Sequence, residues 1–347
     1  METKLIKVNG KQPDLESIRM AADVIRRGGL VAFPTETVYG LGANALDGDA
    51  ARKIYAAKNR PQDNPLIVHI SACEEIKGLV KDLPERAQIL MERFWPGPLT
   101  LILEKSDKVP YSTTGGLDTV AVRMPRHPVA QALIKESGVP IAAPSANLSG
   151  KPSPTNAQDV YEDMAGRIEM ILDGGPCEVG VESTVLDLTG DVPMILRPGG
   201  VTIEELNEVL GRVELDPGLQ PGQRPKSPGQ KYRHYSPKAP VLVVEGPVEA
   251  QVEKITEMAK ELSAQGKKVG IMATAQTRKF YETGYVFSVG DRNAPLTISA
   301  NLFSVLRKFD RIGVDHILAE GIPESGLGLA VMNRLRKAAG YNIIKLE

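Results

Sequence analysis

Fourteen consecutive residues past the middle of this 347-residue chain, Asp216-Pro-Gly-Leu-Gln-Pro-Gly-Gln-Arg-Pro-Lys-Ser-Pro-Gly229, contain four prolines and three glycines. Proline removes a backbone donor and fixes φ, and glycine adds chain entropy, so neither helix nor strand is expected to run through them. The chain divides there. A first domain is expected over residues 1–212, a connecting segment over 213–238 and a second domain over 239–347.

The two parts read differently. In the first, Leu15, Ile18, Ala22 and Ile25 share a helical face closed by Gly28-Gly29, and residues 30–33 form a short buried strand. Further helices are expected at 50–58, around Ala87, Leu90, Met91 and Phe94, and at 129–137. Strands are expected at 66–70, 99–103, 119–124, 139–143, 170–173, 184–188 and 194–197. This irregular alternation predicts an α/β domain. In the second part, strands at 241–244, 268–273, 285–289 and 316–319 are interleaved with helices at 248–262, around Leu302 to Phe309, and at 327–338. Helices between strands demand parallel crossovers, so a smaller Rossmann-like parallel sheet is expected.

Charge and composition narrow the function. Lys plus Arg is 42 and Asp plus Glu is 43, a net charge of −1, which excludes a protein-wide basic field for nucleic acid. No apolar run is long enough to span a membrane, and the first residues lack the apolar core of a secretion signal. Two cysteines, Cys73 and Cys177, make neither a disulfide framework nor a metal pair, and the four histidines are scattered. A cytoplasmic protein with no metal held by its own side chains is expected. An RNA-binding module is the competing class, and a 5% aromatic content argues against reading bases by stacking.

Gly40-Leu-Gly-Ala-Asn-Ala45 fits the G-x-G-x-x-A pattern of dinucleotide sites. It does not leave a strand directly, because polar Pro34-Thr-Glu-Thr37 intervenes, so the oxidoreductase reading fails on context. Lys58 and Arg60 carry more. A helix ending at Pro61 places a point charge and a planar fork beside a stiff loop, a pairing that suits a polyphosphate. Ala142-Ala-Pro-Ser-Ala-Asn147 ends an apolar strand in small residues with hydroxyl and amide groups, either a capped turn or a loop that lets a ligand approach the backbone. Thr35-Glu-Thr37, Gly180-Val-Glu-Ser-Thr184 and Arg197-Pro-Gly-Gly200 are similar. Loops at strand ends of an open sheet converge on one crevice.

Seven blocks then occur in order: Pro34-Thr-Glu-Thr-Val-Tyr-Gly-Leu-Gly42, Lys58-x-Arg60, Asn64-Pro-Leu-Ile-Val-His69, Trp95-Pro-Gly-Pro-Leu-Thr100, Val122-Arg-Met-Pro125, Pro144-Ser-Ala-Asn147 and Glu182-Ser-Thr184. Together they resemble the threonylcarbamoyl-AMP synthase family, with a YrdC-like twisted mixed-sheet domain first and the second domain of its longer members after it. The resemblance implies formation of threonylcarbamoyl-AMP and pyrophosphate from L-threonine, bicarbonate or CO2, and ATP with Mg2+. It implies a downstream tRNA-modifying transferase complex as consumer of the adenylate, with at most weak direct RNA binding. It also implies site roles: Lys58, Arg60, Ser145 and Asn147 catalytic; Asn64, Thr119, Ser153 and Arg197 joining Lys58, Arg60 and Ser145 at ATP; and Thr35, His69, Arg123, Ala143 and Ser183 at threonine. Arg123 at a strand end suits a bidentate grip on a carboxylate.

The connecting segment has chemistry of its own. Arg224, Lys226, Lys231, Arg233 and Lys238 occur between Gln223 and Lys238 with no acid, around His234-Tyr-Ser-Pro237. A proline-stiffened cationic segment is unlike an inert Gly/Ser tether. It is expected to fold over the mouth of the first domain and contact the nucleotide, with Tyr235 at ATP.

Overall fold

The computed structural model describes residues 1–218, 223–232 and 234–347, and forms two compact units, Met1–Ser149 with Ser153–Tyr232 and Gly150–Pro152 with Arg233–Glu347. Part of the proline-rich segment, residues 219–222, and Arg233 lie outside the described residues.

The first unit holds eleven strands: β1 (Lys4–Lys7), β2 (Val31–Phe33), β3 (Gly40–Asn44), β4 (Ile67–His69), β5 (Leu99–Glu104), β6 (Thr119–Arg123), β7 (Ile141–Ala142), β8 (Met170–Asp173), β9 (Thr184–Asp187), β10 (Met194–Arg197) and β11 (Glu214–Leu215). They form one mixed sheet in the order β1-β8-β2-β3-β7-β4-β6-β5-β9-β10-β11. Its helices are α1 (Leu15–Arg26), α2 (Gly48–Lys58), α3 (Glu85–Phe94), α4 (Tyr111–Thr114), α5 (Pro128–Ser137), α6 (Ala157–Met164) and α7 (Ile203–Leu210). Asp14 and Asp47 cap α1 and α2 by accepting first-turn N–H groups, and Thr202 with Glu205 makes a capping box on α7.

Strand alternation sorts the core. Val31 and Phe33 pack with Ile18 of α1 and Val129 of α5, while Ala32 between them joins the larger core that includes Ile54 of α2 and Leu90 of α3. The same alternation leaves a patch at the other end of the sheet. Val68, Val122 and Leu186 enter the large core, whereas Ile67, Ile102, Ala121, Val185 and Leu196 gather in a small cluster made of strand residues alone. That face carries the site.

Some expectations shift. Leu15, expected on the buried face of α1, is 46% exposed, because it is the first helical residue and precedes the turn that meets the sheet. The strand expected at 139–143 contracts to β7. Residues 214–215, expected in the connecting segment, pair parallel with β10 as β11. The Gly40-Leu-Gly motif is β3, antiparallel to β2, and its glycines make room for the Phe33 ring.

The second unit has β12 (Val241–Glu245), β13 (Val269–Ala273), β14 (Tyr285–Ser288), β15 (His316–Glu320) and β16 (Ile343–Lys345), all parallel, in the order β14-β13-β15-β12-β16. Helices α8 (Val248–Ala264), α9 (Pro295–Ile312) and α10 (Leu327–Ala338) accompany them. This is the Rossmann-like parallel sheet expected from the sequence.

A Cβ at Gly42 would lie 2.7 Å from both Ile141 Cγ2 and Phe33 Cε1. Gly42→Ala is therefore expected to destabilise by about 1–3 kcal/mol, as overpacking does. Gly78→Ala, where a Cβ meets nothing within 4 Å, is the control and is expected to be near neutral. Denaturant midpoints of the two variants check this.

Candidate functional site

The C-terminus of α2 delivers Lys58, and Asn59 in the left-handed conformation (φ 52°) turns the chain so that Arg60 points back. Lys58 is almost fully buried, and its ammonium donates to the carbonyls of Ser145 and Asn147. The Ser145 hydroxyl donates to Asn147 Oδ1 at 2.6 Å, so this strand-end loop is tied to itself and to α2. Arg60 is buried and donates to Asn64 O (3.2 Å) and Pro65 O (3.1 Å), just ahead of β4. The Asn64 side chain is buried too, with Oδ1 unpartnered. Lys58, Arg60, Ser145 and Asn147, expected together, lie around one strand end.

Neighbouring strands assemble a second group. Register places His69 of β4 and Thr100 of β5 on either side of Arg123 in β6. Thr100 Oγ1 lies 2.8 Å from Ser183 Oγ, and Arg197 donates to the Ser183 carbonyl from Nε (3.1 Å) and Nη2 (3.0 Å). Gly199 makes this approach possible, since a Cβ there would sit 2.3 Å from Ser183 C and Thr184 N. Ala143 N donates to Ile67 O at 2.8 Å, holding its backbone beside β4. Ser153 donates to Glu182 at 2.5 Å, and both are buried.

Arg123 is not the isolated carboxylate grip expected of it. Its guanidinium forms a buried ion pair with Glu36 at 2.7 Å and also donates to Thr37 Oγ1 (2.9 Å) and Gly97 O (3.2 Å). Thr35 bonds Thr37 in turn at 2.8 Å. Sequence reasoning quoted Glu36 within a motif but gave it no role; an acid flanked by threonines in an otherwise apolar loop was the available signal. Thr37 and Thr100 were missed in the same way.

His69 is buried, with Nδ1 3.0 Å from Ile67 O and its ring edge-on to Phe33. Burial first, then the nearby Arg123 charge, push its pKa down to about 3 from 6.5, so the imidazole is neutral at pH 7. Burial likewise pushes the Cys177 thiol up, which leaves it inert.

Two expected residues sit differently. Thr119 is half-buried at the far end of β6, on the same face as Ala121 and Arg123, roughly 13 Å from Arg123 at about 3.3 Å per residue. Tyr235 belongs to the second unit, where its ring stacks on Phe303 at 5.2 Å and lies 5.5 Å from the Arg334 guanidinium. Residues 223–232 of the connecting segment belong to the first unit. There Lys226 pairs with Asp187 (2.9 Å), Lys231 with Asp63 (2.8 Å), and the Tyr232 hydroxyl donates to Asp63.

A mixed sheet with buried cations held on the carbonyls at its strand ends defines a YrdC-like α/β unit, followed in the chain by a Rossmann-like one. Residues 23–199 match the family model described as telomere recombination (Sua5, YciO, YrdC), and residues 201–340 match the C-terminal domain of threonylcarbamoyl-AMP synthase. The chain belongs to the threonylcarbamoyl-AMP synthase family. It is 56% identical over 331 residues to the threonylcarbamoyl-AMP synthase of Pyrococcus abyssi, covering 95% of this chain and 96% of that one. The Bacillus subtilis synthase is 52% identical over 330 residues, covering 94% of each. The solved structure of P. abyssi Sua5 complexed with L-threonine superposes with a TM-score of 0.95 at 54% identity, covering 99% of this chain and all (100%) of that one. Among the described residues no helix is long and apolar enough to cross a membrane.

The His69 shift makes a pH prediction. The unfolded chain takes up a proton near 6.5 where the folded one does not. Stability from neutral His69 is therefore full above about pH 6.5 and is lost as pH falls towards 3, by about 1 kcal/mol per pH unit. His69→Gln, which cannot titrate, is expected to show a shallower loss of unfolding free energy between pH 6.5 and 4.5, a window set by the same two values. Parallel curves would remove the assignment.

Proposed function

We infer that this chain is an enzyme that forms threonylcarbamoyl-AMP and pyrophosphate from L-threonine, bicarbonate or CO2, and ATP, as a nucleotidyltransferase supplying tRNA modification. The observation that carries the reading is 56% identity to a synthase over 95% of the chain.

The chemistry has two bond-forming steps. The threonine amine attacks the carbon of CO2 and gives up a proton to solvent, or attacks bicarbonate, whose C–O bond breaks and whose hydroxyl leaves as water with that proton, giving a carbamate either way. A carbamate oxygen then attacks the α-phosphorus of ATP, and the bond to the β-phosphate oxygen breaks, releasing pyrophosphate. Little covalent work falls to the protein; positioning and charge stabilisation do most of it. Lys58 and Arg60 face the phosphates and the carbamate, Ser145 and Asn147 hold Lys58 in place and add polar contacts, and Asn64, Ser153 and Arg197 contact the nucleotide. Thr119 marks its far end, across the apolar patch of Ala121 and Leu196.

Thr35, His69, Arg123, Ala143 and Ser183 form the threonine pocket. The Arg123–Glu36 pair leaves two of the five guanidinium N–H groups without a partner among the described residues, enough to receive one carboxylate. Neutral His69 contributes hydrogen bonding, not charge. The donors around the phosphate region are cations and hydroxyls, a set that fits a polyphosphate carrying its own Mg2+, ligated by phosphate oxygens and water. Bound so, Mg2+ neutralises phosphate charge. The adenylate product passes to a tRNA-modifying transferase, and the synthesis belongs to the cytoplasm.

Two measurements test this. Lys58→Ala and Arg60→Ala are each expected to lower pyrophosphate release about 100- to 1000-fold with the fold intact, the usual effect of deleting one donor aimed at developing charge. Near-native release by either removes that residue from the mechanism. Valine, which replaces the threonine hydroxyl by a methyl, is expected to react at least about 10-fold less efficiently, because a buried polar partner is left unpaired at about 1–3 kcal/mol. Serine is expected to fall between the two. Equal kcat/KM for threonine and valine would overturn the pocket.

A further inference from the structure

A cleft of about 630 Å³ opens between α2, the loop after α4 and residues 223–231, all within the first unit. Its lining includes Arg52, Tyr55, Asp63, Ser112, Arg224 and Lys231, and none of Lys58, Arg60, Ser145 or Asn147. The four groups given catalytic roles do not line it, although Arg60 N bonds back to Tyr55 O and the Arg60 charge acts on the Tyr55 hydroxyl.

Its floor is chemically unfinished. Tyr55 is only 2% exposed, yet among the described residues its hydroxyl has no hydrogen-bond partner, and the buried Ser112 Oγ has none there either. A buried hydroxyl without a partner costs about 1–3 kcal/mol, so two of them beside one cleft are costly unless something polar arrives there. The walls supply charge. Lys231 is matched by Asp63, which leaves the guanidinium groups of Arg52 and Arg224 as the net charge of the lining. Arg52 meets Asp49 only at the exposed helix surface. Arg224 comes close to the backbone at Gly116 (φ 82°), where a Cβ would stand 3.3 Å from its Nη1.

Hydroxyl donors below and two planar cationic forks at the sides match tetrahedral oxyanions with several acceptors. The volume exceeds what one carboxylate fills and is in the range of small-molecule sites. A nucleic-acid groove would need a row of aromatic platforms, and Tyr111 is the one exposed aromatic ring in the lining. We propose that this cleft is a second anion site that binds a small polyphosphate.

Equilibrium dialysis of the full chain against radiolabelled inorganic pyrophosphate tests it. The double variant Arg52→Gln/Arg224→Gln, altered only at exposed side chains, is expected to bind one equivalent fewer than the native chain. Tyr55→Phe is expected to weaken that equivalent roughly tenfold without lowering the thermal midpoint, since it deletes a hydroxyl that no described residue satisfies. Lys58→Ala is expected to retain the equivalent, which separates failure here from failure of the catalytic reading. The same number of equivalents in native and double variant would overturn the site. So would a short RNA whose binding depends on Arg52 and Arg224 while pyrophosphate binding does not.

Discussion

The buried pair between Arg123 and Glu36 organises the first unit's crevice. Taking two charges out of water costs several kcal/mol each, and only close pairing with further hydrogen bonds offsets it. Both conditions hold here. Glu36 also accepts from Arg126 N at 3.1 Å, while Arg123 reaches Thr37 and Gly97 O. Removing one partner would strand the other, so the loop after β2, the end of β6 and the turn before β5 must keep one mutual arrangement. Backbone bonds from Val179 to Glu36 O and from Gly180 to Thr37 O extend that constraint to the approach to Ser183. A network of this kind fixes a pocket before any ligand arrives, which lowers the ordering cost of binding.

The two ends of the crevice are then electrostatically unlike. At one, Arg123 is paired with a carboxylate and His69 is neutral, so recognition rests on directed hydrogen bonds. At the other, Lys58 and Arg60 donate to main-chain carbonyls.

Much of this was legible in sequence, for identifiable reasons. The long helices announce themselves by period, the buried strands by apolar runs, and Lys58 and Arg60 by their place at a helix end. Other parts depend on partners distant in the chain. β3 has no readable pattern because its glycines answer to the Phe33 ring, a tertiary demand. β1, α6, α7 and β16 went unread, and β7 and β11 are two residues each, too short for any period to show. Glu36 looked like one more loop acid because its partner lies 87 residues away. Leu15 failed for the opposite reason: the pattern was right, but a helix's first residue precedes the surface its neighbours cover.

The connecting segment shows how composition and geometry combine. Residues 223–232 carry cations that the sequence reading turned towards the nucleotide, and within the first unit Lys226 and Lys231 pair with Asp187 and Asp63. Hydrogen bonds from Lys231 and then Tyr232 hold the Asp63 carboxyl below the usual range, so these ties persist through neutral pH. Both lysines face solvent, where water and salt screen such pairs and leave them weak. Proline stiffening lowers the entropy lost when the segment lies down, so a few weak ties suffice to hold it.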